Sequence, residues 1–290
     1  YIQSDDENSD IRNLIKHLHQ KGVTKIHYID PVDDWLSQRI KESIKTYNLE
    51  NELYDSPLFL NSSDDINKYF SEKKKFRQTD FYILQRKKRG IMLDSKASPI
   101  GGKWTYDTQN RAKYPSKKIP PAYKYPLKNK YHEEAEHYTR KNFSQNYGLL
   151  RKMKYPVSFK DSKEHFELFL KERFYGYGKY QDAMLEGESF LHHSLISPLL
   201  NTGLLTPQYV IERSIEYAFE NDIPFNSLEG FIRQIMGWRE FIRGVYQVKG
   251  RYQRSRNFFN LERNIPDSFY TGNTGIRPLD DVIIKVNETA

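Results

Sequence analysis

Apolar positions open the chain at helical spacing. Ile11, Leu14, Ile15 and Leu18 recur every three or four residues, and Gly22 follows as a C-terminal stop, so the pattern predicts a helix. Residues 23–29 read as a strand. A second helical pattern starts at Pro31 and carries Trp35, Leu36, Ile40 and Ile44, and Glu52-Leu53-Tyr54 reads as a second short strand. Alternation of this kind predicts a layered α/β domain on a parallel sheet.

After Phe59 the pattern turns helical, with predicted helices over 64–75 and 81–93, the second carrying Arg86, Lys87, Lys88 and Arg89. Residues 101–130 then hold Pro115, Pro120, Pro121 and Pro126, eight Lys or Arg, and one acid, Asp107. Such a segment is expected to be an extended basic connector rather than a packed element. Beyond it, helices are predicted over 132–146, 162–174, 190–200, 207–221 and 227–248. The fold class is therefore α/β then all-α: a partial parallel-sheet domain over 1–100, the connector over 101–130, and an incomplete helical domain over 131–290.

Charge and composition narrow the chemistry. The 290 residues carry 46 Lys and Arg against 38 Asp and Glu, a net +8, with 22 Tyr, 17 Phe and no Cys. Without Cys the polypeptide supplies no disulfide, zinc-thiolate site, cysteine nucleophile or cysteine-ligated cluster. No run of 18 apolar residues is present and the first thirty residues are acidic, so neither a membrane span nor a signal segment is expected, and a cytoplasmic protein is the default. The chain starts without Met and stops just past the apolar run Val282-Ile283-Ile284-Lys285-Val286. A fragment cut at both ends is expected.

Four constellations stand out. Gly101-Gly102-Lys103-Trp104, followed by Asp107 and Asn110-Arg111, reads first as an interdomain turn anchored by Trp104, because it lacks the glycine spacing of a phosphate loop. His192-His193-Ser194-Leu195-Ile196-Ser197-Pro198 puts two serines three apart, on one face if the segment is helical, where their hydroxyls suit a phosphate. Its two histidines diverge on a helix, are poorly placed as a metal pair, and read singly as capping and packing residues.

Arg233 to Arg243 forms an amphipathic helix whose apolar stripe explains most of its residues, while Gln234, Arg239 and Arg243 on neighbouring turns suit an anionic or heterocyclic ligand. Lys249, Arg251, Arg254 and Arg256, interleaved with Tyr252, Phe258 and Phe259, form a second basic stretch. Charge runs are usually solvated faces. Two of them, in a chain of isoelectric point near 9.2, raise the case for a nucleic-acid partner.

Taken in order, several blocks resemble the bacterial deoxyribodipyrimidine photolyase-related proteins, the iron–sulfur branch of the photolyase and cryptochrome superfamily. The blocks are Gln85-Arg86-Lys87 through Met92, Gly101-Gly102-Lys103-Trp104 through Asn110-Arg111, Tyr180-Gln181-Asp182-Ala183-Met184 with His193 to Pro198, Gly237-Trp238-Arg239-Glu240, and Thr271-Gly272-Asn273-Thr274.

The resemblance implies light-driven repair of ultraviolet pyrimidine photoproducts, typically of (6-4) type, by electron transfer from reduced FAD, with UV-damaged DNA as partner and a monomer acting without a membrane. Some relatives act instead as photoreceptors. It also implies an antenna chromophore, of lumazine type, in the α/β domain. Ser194 and Ser197 match serines that contact the FAD phosphates, with Leu195 between them. Gln234, Trp238 and Arg239 match flavin-pocket positions, and Tyr180 lies beside them. Lys117, Lys118, Lys249, Arg251 and Arg254 are the expected DNA contacts, and catalytic residues are expected beyond Ala290.

Two positions depart from the family. Where its first cluster cysteine is usual, this chain has Ile276-Arg277-Pro278-Leu279, and proline cannot ligate iron. Where a Trp electron carrier is common, it has Tyr270. A non-repairing photoreceptor and a flavin-independent nucleic-acid-binding module are the alternative readings.

Overall fold

The computed structural model describes residues 2–71, 73–150 and 153–289. Along the chain run α1 (Ile11–Gln20), β1 (Lys25–Ile29), α2 (Asp34–Thr46), β2 (Glu50–Tyr54), α3 (Ser63–Phe70), α4 (Gln78–Arg89), α5 (Lys130–Phe143), α6 (Phe159–Glu172), α7 (Phe174–Tyr177), α8 (Ser197–Asn201), α9 (Pro207–Glu220), α10 (Phe225–Ile232), a π-helical stretch (Arg233–Arg239), α11 (Glu240–Arg254), α12 (Ser268–Thr271) and α13 (Arg277–Thr289). The chain divides into two units: one takes residues 1–78 and 238–255, the other 79–237 and 256–290.

The first unit is the α/β one. Strands β1 and β2 pair in parallel from Lys25↔Glu50 to Ile29↔Tyr54. Asp10 caps α1 by accepting the Arg12 N–H, and Asp33 caps α2 by accepting the Leu36 N–H. The helices close over a core of Ile15, Ile40, Ile44 and Leu49. A capping box between Ser62 and Asp65 starts α3. That helix ends at Phe70, short of the predicted residue 75, and packs on α11. Gly244 makes the approach possible, since a Cβ there would collide with the Phe70 ring.

The second unit is helical. Phe166, Phe169, Phe174 and Phe231 bury completely against one another, with ring centroids 5.0 to 6.2 Å apart. Each such side chain contributes on the order of 2–3 kcal/mol through burial. Arg86 is fully buried too. Its guanidinium donates to the carbonyls of Ile91, Trp104 and Met92, and it lies 5.2 Å from the Trp104 ring. Trp104 thus anchors the glycine turn, as its position suggested.

Two expectations need correction. Residues 111–129 contain no helix or strand, yet the segment is pinned: Tyr114 is buried with Tyr180 and Leu191, and the Tyr123 hydroxyl donates to the Lys154 carbonyl. Aromatic side chains attach a proline-broken backbone that charge alone would leave in solvent. Nor is 190–200 one helix. Leu191 (φ 41°) and Leu195 (φ 58°) hold left-handed backbone, so the helix is confined to α8 and Ser194 lies in a loop.

Candidate functional site

The stretch Arg233–Arg239 carries three of the ligand positions expected from sequence: Gln234, Trp238 and Arg239. Its π-helical form accommodates extra backbone by i→i+5 bonding, a rare distortion frequent at functional sites. The start of the stretch is fixed electrostatically in the second unit. Glu229, wholly buried, accepts the Arg233 Nε–H at 3.2 Å and the Tyr106 N–H at 2.9 Å, and Arg233 also lies 3.2 Å from Asp107. Beside this cluster, burial and the Glu229 charge raise the Tyr82 phenol well above its ordinary range, so Tyr82 stays protonated.

Within the second unit, three of the expected ligand residues keep uncommitted polar groups. The hydroxyls of Ser194 and Ser197 and the half-buried Gln234 amide are not taken up by side-chain hydrogen bonds among the described residues. Hydroxyls suit phosphate oxygens and an amide suits a heterocycle edge, donor types that a flavin dinucleotide takes. The serines are not on one helical face as expected, because Ser194 precedes α8. Tyr180 is buried, stacked on His192 at 5.4 Å, with the Lys118 ammonium 4.6 Å from its ring centre. Lys117 is exposed, as is Tyr270. Pro278 lies in the first turn of α13.

Trp238 and Arg239 belong to the first unit. There Arg239 donates to the Leu58 carbonyl and lies 4.2 Å from the Phe59 ring centre. Arg243 lies on the same ring at 4.5 Å, donates to the Asn61 carbonyl and comes within 3.6 Å of Asp30. Glu240 completes the set by accepting from the backbone N–H groups of Leu60 and Asn61. Three side chains of one helical segment therefore hold the loop that leaves β2. Charged residues in an amphipathic helix show in the sequence; their loop partners, some 180 positions earlier, do not.

The first unit also contains a cavity of about 290 Å³ at the C-terminal ends of both strands, reached by Tyr28, Asp30, Leu53, Ser63, Asn67 and Tyr246. The Asp34 N–H donates to the Tyr246 hydroxyl at 3.0 Å. Val32, in the loop entering α2, holds left-handed backbone at φ 55°. Arg251 and Arg254, expected to contact DNA, line the same cavity and approach Asp34 at 3.6 and 3.7 Å, while Lys249 is exposed. Crevices at carboxyl ends of parallel strands are the usual ligand position in α/β layers.

Among the described residues no cluster of His, Asp or Glu is arranged to hold a metal, and no helix is long and apolar enough to cross a membrane. The family model of deoxyribodipyrimidine photo-lyase-related proteins matches residues 1–155. The chain belongs to that family. A (6-4) photolyase of Agrobacterium fabrum is 30% identical over 244 residues, which are 84% of this chain and 48% of that protein. An uncharacterized protein of Acanthamoeba polyphaga mimivirus is 42% identical over 102 residues, 35% of this chain and 78% of its own length. The chain thus spans about half the length of the photolyase it matches. Among solved structures, a Synechocystis cryptochrome superposes with a TM-score of 0.55 at 18% identity, covering 96% of this chain and 54% of that one. An α/β layer followed by helices is the shared fold.

Proposed function

We propose that this member of the photolyase-related family serves FAD-dependent, light-driven repair of ultraviolet pyrimidine photoproducts in DNA, of (6-4) type. One observation carries the reading: 30% identity to a (6-4) photolyase maintained over 84% of the chain. When bound, FAD supplies the light-driven electron transfer. The chain's own residues bind and orient. Ser194 and Ser197 donate to phosphate oxygens, Gln234 hydrogen-bonds the heterocycle, Leu195 and Tyr180 form apolar wall, and Trp238 borders the lesion cavity. Arg239, already committed to Leu58 and Phe59, is a positioning residue. Tyr270 is the proposed electron relay.

In the same reading, residues 1–100 are the antenna domain, 101–130 the connector and 131–290 part of the flavin domain. The cavity at the strand ends takes an antenna chromophore of lumazine type. Lys117, Lys118, Lys249, Arg251 and Arg254 neutralise phosphates of the damaged duplex, while the lesion is flipped out of the stack. A monomer in the cytoplasm suffices for this work, and no iron–sulfur ligand is assigned.

Tyr270 and Pro278 favour a second reading, a cryptochrome-like photoreceptor, because both replace residues tied to electron supply. Absorption of the complete reading frame, purified in the dark, tests the cofactor on which both readings rest. A bound flavin band is expected. Its absence, with salt-sensitive DNA binding intact, would replace both readings by a flavin-independent nucleic-acid-binding module.

A further inference from the structure

The loop over residues 190–196 is both strained and clamped. Leu191 and Leu195 hold left-handed backbone at its two ends, a conformation in which an L-residue's Cβ crowds the next carbonyl. Between them the His192 ring is 5% exposed, stacked on Tyr180 and seated over Gly176, where a Cβ would collide with the ring. His192 Nδ1 meets the Arg173 carbonyl at 3.1 Å. A carbonyl only accepts, so Nδ1 carries the proton and Nε2 is the bare nitrogen of a neutral ring. That Nε2 is buried without a partner.

His165, on α6, repeats the arrangement. It is 6% exposed, its Nε2 is likewise buried and unpartnered, and the Ser194 backbone in the loop lies close enough to act on its ring. His192 faces Arg173, Lys118, His193, Tyr114 and Tyr180; His165 faces Arg173 and Tyr123. Among these groups there is no carboxylate. A proton on either Nε2 would place a second cation near buried Arg173, with no acceptor for the new N–H.

We propose that residues 190–196 form an acid-released clasp: neutral His165 and His192 hold the strained loop against α6 and α7, and their protonation opens it. Burial already lowers the proton affinity of both rings, His165 to about 4. Because the loop resists proton uptake while closed, opening and protonation are linked, and strain in the two leucines favours the open form once the rings are charged. The inference does not rest on flavin binding.

Amide hydrogen exchange on the flavin-free protein, corrected for intrinsic rates, tests it. Between about pH 7.5 and pH 4.5, protection in 190–196 is expected to fall by tenfold or more relative to α9, since each unit of lowered affinity couples about tenfold. The variants His192→Phe and His165→Phe should each reduce that fall. Equal loss of protection in α9, or an undiminished fall in both variants, overturns the proposal. Should either variant fail to fold, ring NMR titration of the unaltered protein decides. Both rings charging together with loop opening supports the clasp, and both charging while the loop stays protected overturns it.

Discussion

Glu240 accepts two hydrogen bonds from Asn61, one from the backbone N–H at 3.2 Å and one from the side-chain amide at 2.8 Å. With the Leu60 N–H at 2.9 Å, one buried carboxylate satisfies three donors of the loop after β2. Hydrogen bonds to charged groups contribute about 1.5–3 kcal/mol each, and removing their acceptor strands buried donors. Glu240→Ala should therefore lower unfolding stability by about 3 kcal/mol or more, and Glu240→Gln by less. Urea unfolding at neutral pH measures both, and an unchanged midpoint for the alanine variant would refute this role.

Arg86 supports the glycine turn in the same manner, with three carbonyls in place of a carboxylate. Lysine keeps the charge but loses the planar fork. Arg86→Lys is expected to cost about 2 kcal/mol and to loosen residues 100–104, which limited proteolysis would reveal.

Neutral, buried histidines set the acid side of the stability profile. Burial lowers His165 in the folded chain to about 4 from an ordinary 6.5 and lowers His192 in the same direction. The unfolded chain therefore binds more protons in that window. Stability is fully present above about pH 6.5 and is lost as the pH falls through about 4, by up to about 3 kcal/mol from His165. Chemical unfolding at a series of pH values checks this. A flat profile between pH 7 and 4.5, or a rise on acidification, would contradict the assignment.

Much of the first unit was legible because its helices carry local signals: regular apolar spacing with Gly22 after the first helix and Pro31 before the second places α1 and α2 within a few residues. The loop at 190–196 was not. Leucine is a good helix former, and only tertiary contacts force Leu191 and Leu195 into left-handed backbone. The π-helical form of Arg233–Arg239 was equally hidden. Ser194, Ser197 and Gln234, proposed from the sequence as ligand residues, have uncommitted donors, but the sequence could not show that Arg239 is occupied by Leu58 and Phe59.

Those donors lead to a binding prediction. In the complete reading frame, Ser194→Ala, Ser197→Ala and Gln234→Leu should each weaken FAD affinity by roughly tenfold to a hundredfold, the effect of losing one hydrogen bond to a charged or polar partner. Fluorescence titration of flavin measures it. Affinity unchanged in all three variants would remove these residues from the site.

For the basic residues the signature is salt dependence. Replacing Lys117 and Lys118 together by Ala should weaken binding to damaged and undamaged duplex alike, reducing the slope of log affinity against log salt by about one for each phosphate that is no longer neutralised. An unaltered slope would move the DNA surface elsewhere.

Light-dependent repair is the central claim. The direct measurement is the fraction of (6-4) lesions removed from a defined oligonucleotide incubated with the flavin-loaded, reduced complete reading frame under blue light and in the dark. Removal of lesions in the light alone is the predicted result. Lesions surviving illumination at saturating protein, with flavin bound and reduced, would contradict the repair reading and leave the photoreceptor in its place.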